Sequence, residues 1–327
     1  MKSAIKTVSE RFTVCSEQDG LALAGIAVYP ENMVPTAVLQ ISHGMIEHKE
    51  RYLPFMQWMA EHGVACVIHD HRGHGESVFS PAELGYFGEN GGDALVRDLY
   101  QVTGWAKRRF GRLPFFLLGH SMGSLAARAY VRHYGRALDG LIVCGSPSRR
   151  TGASSAERIL GRLTRDEHRR NPKFDRLFAD LFERPYRSEN LPYAWICSDR
   201  AVVEAHNEDP LCTFTFTVNG YRSLFWLMHE AYDMPRDSAA CPDLPVRFIS
   251  GADDVCLISR RRFADAVETL RRAGYRNVTA RLFPGMRHEI LLESGCLRVY
   301  HDILRFITPN AGIENAQPEA DASEESK

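Results

Sequence analysis

The chain has 327 residues, a length that can bury a large core as one big domain or as two smaller ones. With 25% charged residues and a formal net charge of -1, it lacks the basic excess that binds phosphate backbones, which argues against a nucleic-acid partner. The N-terminus has no apolar stretch of signal-peptide length, and no window approaches the roughly 18 apolar residues of a membrane span. We therefore expect a cytoplasmic protein.

A hairpin at a sheet edge is predicted first, with two strands within residues 12–28 around the turn Gln18-Asp19-Gly20. Six short apolar runs then have the character of fully buried parallel strands. They are residues 37–42, 64–69, 115–118, 141–144, 246–250 and 278–283. Helical patterns lie at residues 51–62, 93–110, 122–134, 260–273 and 297–307. Because parallel strands require crossover helices, this alternation predicts an α/β fold with a mostly parallel, doubly wound sheet.

One long interval, residues 148–240, interrupts the alternation of strands and helices. Its first half is rich in arginine, and aromatic and aliphatic residues are distributed along it, which predicts a mostly helical insertion over the sheet. The core then comprises residues 1–147 and 241–310. The tail, residues 311–327, is acidic and poor in apolar residues, so we expect it to be disordered.

Metal and cofactor sites are not indicated by the cysteines and histidines. The eight cysteines are scattered singly, without a C-x-x-C pair, and are expected to be reduced and mostly buried. The run His69-Asp70-His71-Arg72-Gly73-His74 follows an apolar strand and is interrupted by glycine, as in a polar turn at a strand end. The prediction is therefore no metal and no cofactor.

The strongest motif is Gly119-His120-Ser121-Met122-Gly123, which follows one predicted strand directly and precedes a predicted helix. A nucleophile elbow turns so sharply between strand and helix that glycine is needed beside the serine, whose hydroxyl is then exposed at the helix N-terminus. Ser121 is therefore the predicted nucleophile.

A serine hydroxyl is a weak nucleophile at neutral pH, so it needs a base that is oriented by a carboxylate. Asp253-Asp254 follows the strand pattern at residues 246–250, and His288 follows the pattern at residues 278–283. Each lies after the carboxyl end of a strand, where the loops of an α/β sheet gather, and the chain order is Ser, Asp, His. His288 is the predicted base, and one of the two aspartates is its partner.

An oxyanion hole needs backbone N–H groups that point at the developing negative charge. His43-Gly44-Met45 follows the strand pattern at residues 37–42, and its glycine lets the backbone turn inward. The predicted donors are the N–H groups of Met45 and Met122.

Five motifs in chain order resemble the monoacylglycerol lipase and lysophospholipase group of α/β-hydrolases, which includes serine aminopeptidase-like members. They are His43-Gly44-Met45-Ile46-Glu47-His48 with Arg51-Tyr52, Asp70-His71-Arg72-Gly73-His74-Gly75-Glu76-Ser77, the elbow, Gly251-Ala252-Asp253-Asp254, and Gly285-Met286-Arg287-His288-Glu289. The resemblance spans about residues 10–308 and implies the α/β-hydrolase fold, with the insertion as a cap that selects the substrate. In this group the acid lies three residues after the glycine that closes the strand, which implies Asp254.

Two features of the resemblance need comment. Val255 and Cys256 follow the acid, where many relatives have Pro-Val-Gly, so this loop departs from the family pattern. Glu47 and Arg51 match positions near the polar glycerol end of the pocket, which implies substrate binding. Their spacing is equally that of an exposed i, i+4 ion pair worth roughly 0.3 kcal/mol.

Together these features predict two-step hydrolysis of a carboxylic ester by Ser121, with a monoacylglycerol, a lysophospholipid or a similar small lipid as substrate. The arginines of the insertion are either solvated helix faces or contacts to anionic head groups at a membrane surface. Two alternatives remain open. One is a serine aminopeptidase or amidase on the same fold, and the other is a non-catalytic protein that uses the pocket as a receptor.

Overall fold

The computed structural model of the protein describes residues 5–149 and 166–309. It contains an eight-stranded sheet with the order β1-β2-β4-β3-β5-β6-β7-β8. The strands are β1 Thr7–Cys15, β2 Ala22–Pro30, β3 Ala37–Ser42, β4 Val64–His69, β5 Phe115–His120, β6 Gly140–Cys144, β7 Val246–Gly251 and β8 Val278–Phe283. The β1–β2 and β2–β4 pairs are antiparallel and the other five pairs are parallel. The mostly parallel sheet and its antiparallel edge hairpin are as predicted.

The parallel strands β3 to β6 lie in the middle of the protein because both of their faces are apolar. Every residue of β3, β4, β5 and β6 is buried. β8 forms an edge of the sheet, and only its end residues Val278 and Phe283 are buried, so the prediction of a fully buried strand at residues 278–283 is wrong. The hairpin extends further than the apolar pattern indicates, since β1 alternates between exposed and half-buried positions and presents little continuous hydrophobic signal.

Helices cover both faces of the sheet, so the prediction of a doubly wound arrangement is confirmed. The helices are α1 Leu53–Glu61, α2 Gly91–Phe110, α3 Met122–Tyr134, α4 Pro172–Glu183, α5 Arg200–Glu208, α6 Val218–Tyr232, α7 Arg260–Arg272 and α8 Leu297–Ile307. On one face α2, α3, α6 and α7 contribute to one apolar core. On the other face α1 and α8 contribute to a second one. Within the described ranges, no helix has both the length and the apolar character needed to cross a bilayer.

The described part of the insertion, residues 166–240, connects β6 to β7 and contains α4, α5 and α6; we call it the inserted segment. Its last helix packs into the core, because Leu224, Phe225 and Leu227 of α6 are buried against α2 and α3. The predicted domain boundaries stay a prediction. Most of the arginine-rich stretch (150–165) and the predicted disordered tail lie outside the described residues.

The polar turn after β4 supports the neighbouring loop. The Asp70 carboxylate accepts hydrogen bonds from the Lys49 N–H and Nζ at 2.8 and 2.7 Å, and from the Glu76 N–H at 2.8 Å. His71 Nε2 lies 2.9 Å from the Ser42 hydroxyl at the end of β3. Burial lowers the pKa of His74 to about 3, so its ring is neutral at ordinary pH. These contacts fix the loop that follows β3.

Candidate active site

Ser121 occupies a strained turn between β5 and α3, with φ 52° and ψ -120°. Its N–H donates to the Cys144 carbonyl of β6 at 3.0 Å. A side chain at Gly123 would collide with the Ser42 and His43 carbonyls, and one at Gly119 would collide with the Gly123 backbone. Glycine is therefore required on both sides of the serine. A non-glycine residue in such a conformation costs about 1–3 kcal/mol and persists where the surrounding structure imposes it.

His288 and Asp254 lie side by side in the loops that follow β8 and β7. His288 Nδ1 is 3.0 Å from both carboxylate oxygens of Asp254. That carboxylate also accepts hydrogen bonds from the Ser250 hydroxyl and the Cys256 N–H, each at 2.8 Å. Burial by itself raises the pKa of Asp254, but the His288 ring and these donors outweigh burial and lower it. Asp253 points to solvent instead, so Asp254 is the aspartate that contacts His288.

His288 lines the same cavity as Ser121. Among the described residues, no hydrogen bond links the Ser121 hydroxyl to this ring, and Cys256 Sγ is 4.0 Å from Nε2. The rings of Trp195 and His120 flank the imidazole, with centroids at 5.2 and 4.8 Å. Hydrogen bonds between catalytic groups are often longer without substrate and shorten in the reactive complex.

The loop after β3 brings Met45 into the same cavity as Ser121 and Met122. His43 holds this loop, because its Nδ1 lies 2.8 Å from the Gly44 carbonyl and its Nε2 accepts the His71 N–H at 2.8 Å. Burial lowers the pKa of His43 to about 4, which keeps the ring neutral as these two contacts require. The Met122 N–H belongs to the first turn of α3, where N–H groups have no acceptor within the helix.

Glu47 and Arg51 form an ion pair at 3.1 Å, but the pair is buried, so the interpretation as an exposed surface pair is wrong. Arg51 also makes a bidentate contact with Glu289, at 2.6 and 2.7 Å. The pair is buried because the loop after β8 places Glu289 against Arg51, a tertiary contact that the spacing of Glu47 and Arg51 does not encode.

Glu47 connects this cluster to the elbow and to the loop after β3. Its carboxylate accepts hydrogen bonds from the Gly44 N–H, the Tyr52 hydroxyl and the His120 ring. Burial by itself raises the pKa of Glu47, but the hydrogen bond and charge of His120 together with Arg51 hold it well below its usual range. His120, which precedes Ser121, and the loop after β3 therefore share one buried carboxylate.

A cavity of about 660 Å³ opens beside Ser121 and His288. Part of its wall is apolar and comes mainly from α3 and from the inserted segment, including α6. These residues include Leu125, Phe214, Leu224, Phe225 and Met228. A polar group lines another part of the wall and consists of Glu47, Arg51, His206 and Glu289.

Several residues at this site were not predicted, among them Trp195, His206, Cys256 and Glu289. Glu289 and Cys256 are next to, or two residues from, predicted site residues, and this closeness was a usable signal. Trp195 and His206 come from the inserted segment, and their place in the wall depends on how that segment folds over the sheet. The sequence pattern carries no signal for that arrangement.

The sheet, its two layers of helices and the strand–serine–helix turn define an α/β-hydrolase. Residues 34–295 match the family described as "Serine aminopeptidase, S33", and the chain belongs to this family. The resemblance to the monoacylglycerol lipase group is also confirmed by its relatives. A monoacylglycerol lipase of Mycolicibacterium smegmatis is 26% identical over 288 residues, which is 86% of this chain and 91% of that protein.

Two further proteins show how far the similarity reaches. A monoglyceride lipase of Rattus norvegicus is 35% identical over 104 residues, but the alignment spans only 31% of this chain and 33% of the rat protein. A thermostable carboxyl esterase from Bacillus coagulans, solved in complex with glycerol, superposes with a TM-score of 0.81 and 25% identity. That superposition covers 92% of this chain and 98% of the esterase.

Proposed function

We propose that the protein is a serine esterase of the lipase type, which hydrolyses carboxylic esters of apolar acyl chains through an acyl-enzyme. One observation carries the proposal: the buried Asp254–His288 pair lies at a cavity that is lined by Ser121 on its strained turn. The family membership and the lipase and esterase names of the relatives support the same class of reaction.

In the proposed mechanism, the Ser121 hydroxyl attacks the ester carbonyl while His288 Nε2 takes the hydroxyl proton. Asp254 accepts a hydrogen bond from Nδ1–H and stays ionised, which keeps the imidazole in the required tautomer and stabilises the imidazolium. The N–H groups of Met45 and Met122 stabilise the negative charge on the former carbonyl oxygen. The imidazolium then protonates the leaving alcohol. Water, activated by the same histidine, cleaves the acyl-enzyme and regenerates Ser121.

The substrate we propose is a lipid with one acyl chain and a small polar alcohol, such as a monoacylglycerol or a lysophospholipid. The apolar part of the cavity suits the acyl chain, and the group around Glu47 and Arg51 suits the polar end. The inserted segment acts as the cap in this proposal, because it supplies Trp195, Phe214 and His206 to the wall.

An aminopeptidase needs a free carboxylate to receive the ammonium group of its substrate. The carboxylates that line the cavity, among the described residues, are those of Glu47, Asp175 and Glu289. The Arg51 guanidinium forms ion pairs with the carboxylates of Glu47 and Glu289. The Asp175 carboxylate accepts a hydrogen bond from the Tyr221 hydroxyl at 2.7 Å. Asp175 keeps its charge beside the neutral Tyr221 hydroxyl, so the preference for the esterase rests on the lipase and esterase names of the relatives. A comparison of acyl esters with amino-acid arylamides separates the esterase from the peptidase.

A fluorophosphonate probe tests the proposal because it reacts with an activated serine hydroxyl. We expect labelling and ester hydrolysis in the wild type and in Ser148→Ala, which removes another serine hydroxyl from the cavity wall. Both should disappear in Ser121→Ala while its circular dichroism and thermal unfolding stay those of a folded protein. Labelling that persists in Ser121→Ala would refute the assignment. A folded wild type that neither reacts with the probe nor cleaves esters would indicate a non-catalytic receptor.

A further inference from the structure

A second cluster of ligating side chains does not include any residue of the proposed triad. His48, in the loop after β3, places its Nε2 2.8 Å from Asp209 Oδ2, although 161 positions separate the two residues in the chain. Cys212 belongs to the same loop of the inserted segment as Asp209. One imidazole nitrogen, one carboxylate oxygen and one sulfur atom of these residues all lie within 4.8 Å of one another.

The three donor types are those that bind Zn²⁺ in proteins. Zinc bonds to imidazole nitrogen, carboxylate oxygen and thiolate sulfur are about 2.0–2.3 Å long, so the donors of a tetrahedral site lie roughly 3–4 Å apart. The cluster is close to this spacing, and small side-chain movements would complete it. His48 and Cys212 are buried and the Asp209 side chain is partly exposed, which leaves an entry path for the ion.

Glu50 supplies a further feature of such a site. Its Oε2 lies 2.8 Å from His48 Nδ1, on the opposite side of the ring from Asp209. A histidine that ligates a metal commonly donates its other N–H to a carboxylate, which fixes the ring orientation and makes the ligating nitrogen more basic. Both ring nitrogens of His48 contact a carboxylate at 2.8 Å, so Nε2 shares a proton with Asp209, and a bound ion would displace this proton to solvent. The contact with Glu50 keeps the ring oriented when the ion replaces that proton.

We propose that His48, Asp209 and Cys212 bind a zinc-like divalent cation, with a water molecule as the fourth ligand. The ion would fasten the inserted segment to the loop after β3. The ion would stabilise the loop that carries Cys212 and Phe214 into the cavity wall. The proposal does not depend on the proposed function, because ion binding is measured without a substrate.

The test uses untagged, reduced, full-length protein that has been treated with a chelator and dialysed. Zn²⁺ is titrated against a chromogenic chelator, and Co²⁺ is added in a separate sample to record its absorption spectrum. We expect one ion per chain, an intense visible Co²⁺ spectrum typical of tetrahedral geometry, and a near-ultraviolet band from thiolate-to-cobalt charge transfer. Zn²⁺ should raise the Tm of the wild type.

Variants separate this cluster from the other group with metal-ligand spacing, Asp254, Cys256 and His288. Cys212→Ala should abolish the charge-transfer band and weaken Zn²⁺ binding by about 100-fold or more, since loss of an outer-shell partner alone costs 10–100-fold. Asp209→Asn keeps the side-chain shape and should weaken binding in the same direction if Cys212→Ala fails to fold. Cys256→Ala, the matched control, should bind like the wild type. The absence of wild-type binding would refute the proposal, as would binding that is lost in Cys256→Ala but kept in Cys212→Ala.

Discussion

At the scale of single residues, two adjacent aspartates have opposite environments. Asp254 is buried against His288, whereas Asp253 is exposed and its backbone carbonyl accepts a hydrogen bond from the Tyr186 hydroxyl at 2.7 Å. In the proposed mechanism only the buried carboxylate can select the histidine tautomer. The pair therefore offers an internal control for the catalytic role.

We expect Asp254→Asn to lower kcat by about 10⁴, as the equivalent change does in a serine protease, because an amide favours the wrong tautomer. Asp253→Asn should stay within about tenfold of the wild type, since its side chain faces solvent. Steady-state kinetics on a soluble p-nitrophenyl ester measures both. If Asp253→Asn were the inactive variant while Asp254→Asn kept its activity, the assignment of Asp254 as the partner of His288 would be wrong by one residue.

Arg51 tests the proposed binding of the polar end of the substrate. Arg51→Ala should reduce kcat/KM for a monoacylglycerol far more than for a p-nitrophenyl ester, because the aromatic leaving group has no polyol to bind. Arg247→Ala is the matched control: it also breaks a bidentate pair, with Asp302, but Arg247 does not line the cavity. Arg247→Ala should change kcat/KM for the two substrates by the same factor. If Arg51→Ala lowered kcat/KM for both substrates equally, the cluster of Glu47, Arg51 and Glu289 would have a purely structural role.

These residues also show what could be predicted from the sequence. Ser121, Asp254 and His288 lie in loops or turns that follow β5, β7 and β8, so a local pattern was enough to propose them. The bidentate contact between Arg51 and Glu289 joins residues 238 positions apart, and no local pattern encodes it. The spacing of Glu47 and Arg51 predicted their pairing correctly, but their burial depends on Glu289 and Tyr52, which are brought there by the fold.

At the scale of elements, the turn from β5 into α3 depends on close backbone contact. Gly123→Ala should destabilise the protein by at least about 1–3 kcal/mol and abolish activity, because the new methyl group would collide with the Ser42 and His43 carbonyls. Gly104→Ala in α2 is the control, since the new methyl would meet only the flexible end of Arg108, at 3.4 Å. It should stabilise the helix by roughly 0.5–1 kcal/mol.

Urea unfolding of the two glycine variants beside the wild type measures these changes. If both variants shifted the midpoint equally and in the same direction, the close approach of α3 to β3 would not be the cause.

The first and last residues of β3, β4 and β8 were predicted correctly from the sequence, whereas the course of the inserted segment was not. Its helices are placed by contacts with α2, α3 and the loop after β8, and such contacts leave no periodic signal.

At the scale of the whole molecule, buried carboxylates connect stability to pH. Burial by itself raises the pKa of Glu289, but the charge and hydrogen bonds of Arg51 lower it below its usual value. Ionised Glu289 therefore contributes stability that is fully present above its unfolded pKa of about 4.3. This contribution is lost as the pH falls through the lower, folded pKa.

Glu289→Gln removes this contribution and leaves Arg51 with Glu47 as its remaining carboxylate. The variant should be less stable than the wild type at about pH 7, and the two free energies of unfolding should converge as the pH falls below about 4.3. Urea unfolding across this pH range gives both curves. A gap that stayed constant down to acid unfolding would show that the carboxylate is not ionised in the folded protein.

The size of the cavity limits the acyl chain that the whole protein can accept. If the apolar wall holds the chain, kcat/KM should rise about fourfold for each added methylene, which corresponds to about 0.8 kcal/mol. The increase should stop when the chain reaches the end of the cavity. A series of p-nitrophenyl esters from acetate upward measures the profile, and a flat or falling profile would indicate a small-acyl esterase or a peptidase.

A change in the wall should move the point at which this profile levels off. Met228 of α6 lines the cavity and is only partly buried, so Met228→Trp can fill part of the space at little cost to folding. In Met228→Trp we expect kcat/KM to stop rising at a shorter acyl chain than in the wild type. Its activity on the acetate ester should stay close to that of the wild type. Met234→Trp is the control, because Met234 is also partly buried but does not line the cavity. Its profile should match the wild type, and an unchanged profile in Met228→Trp would place the acyl chain elsewhere.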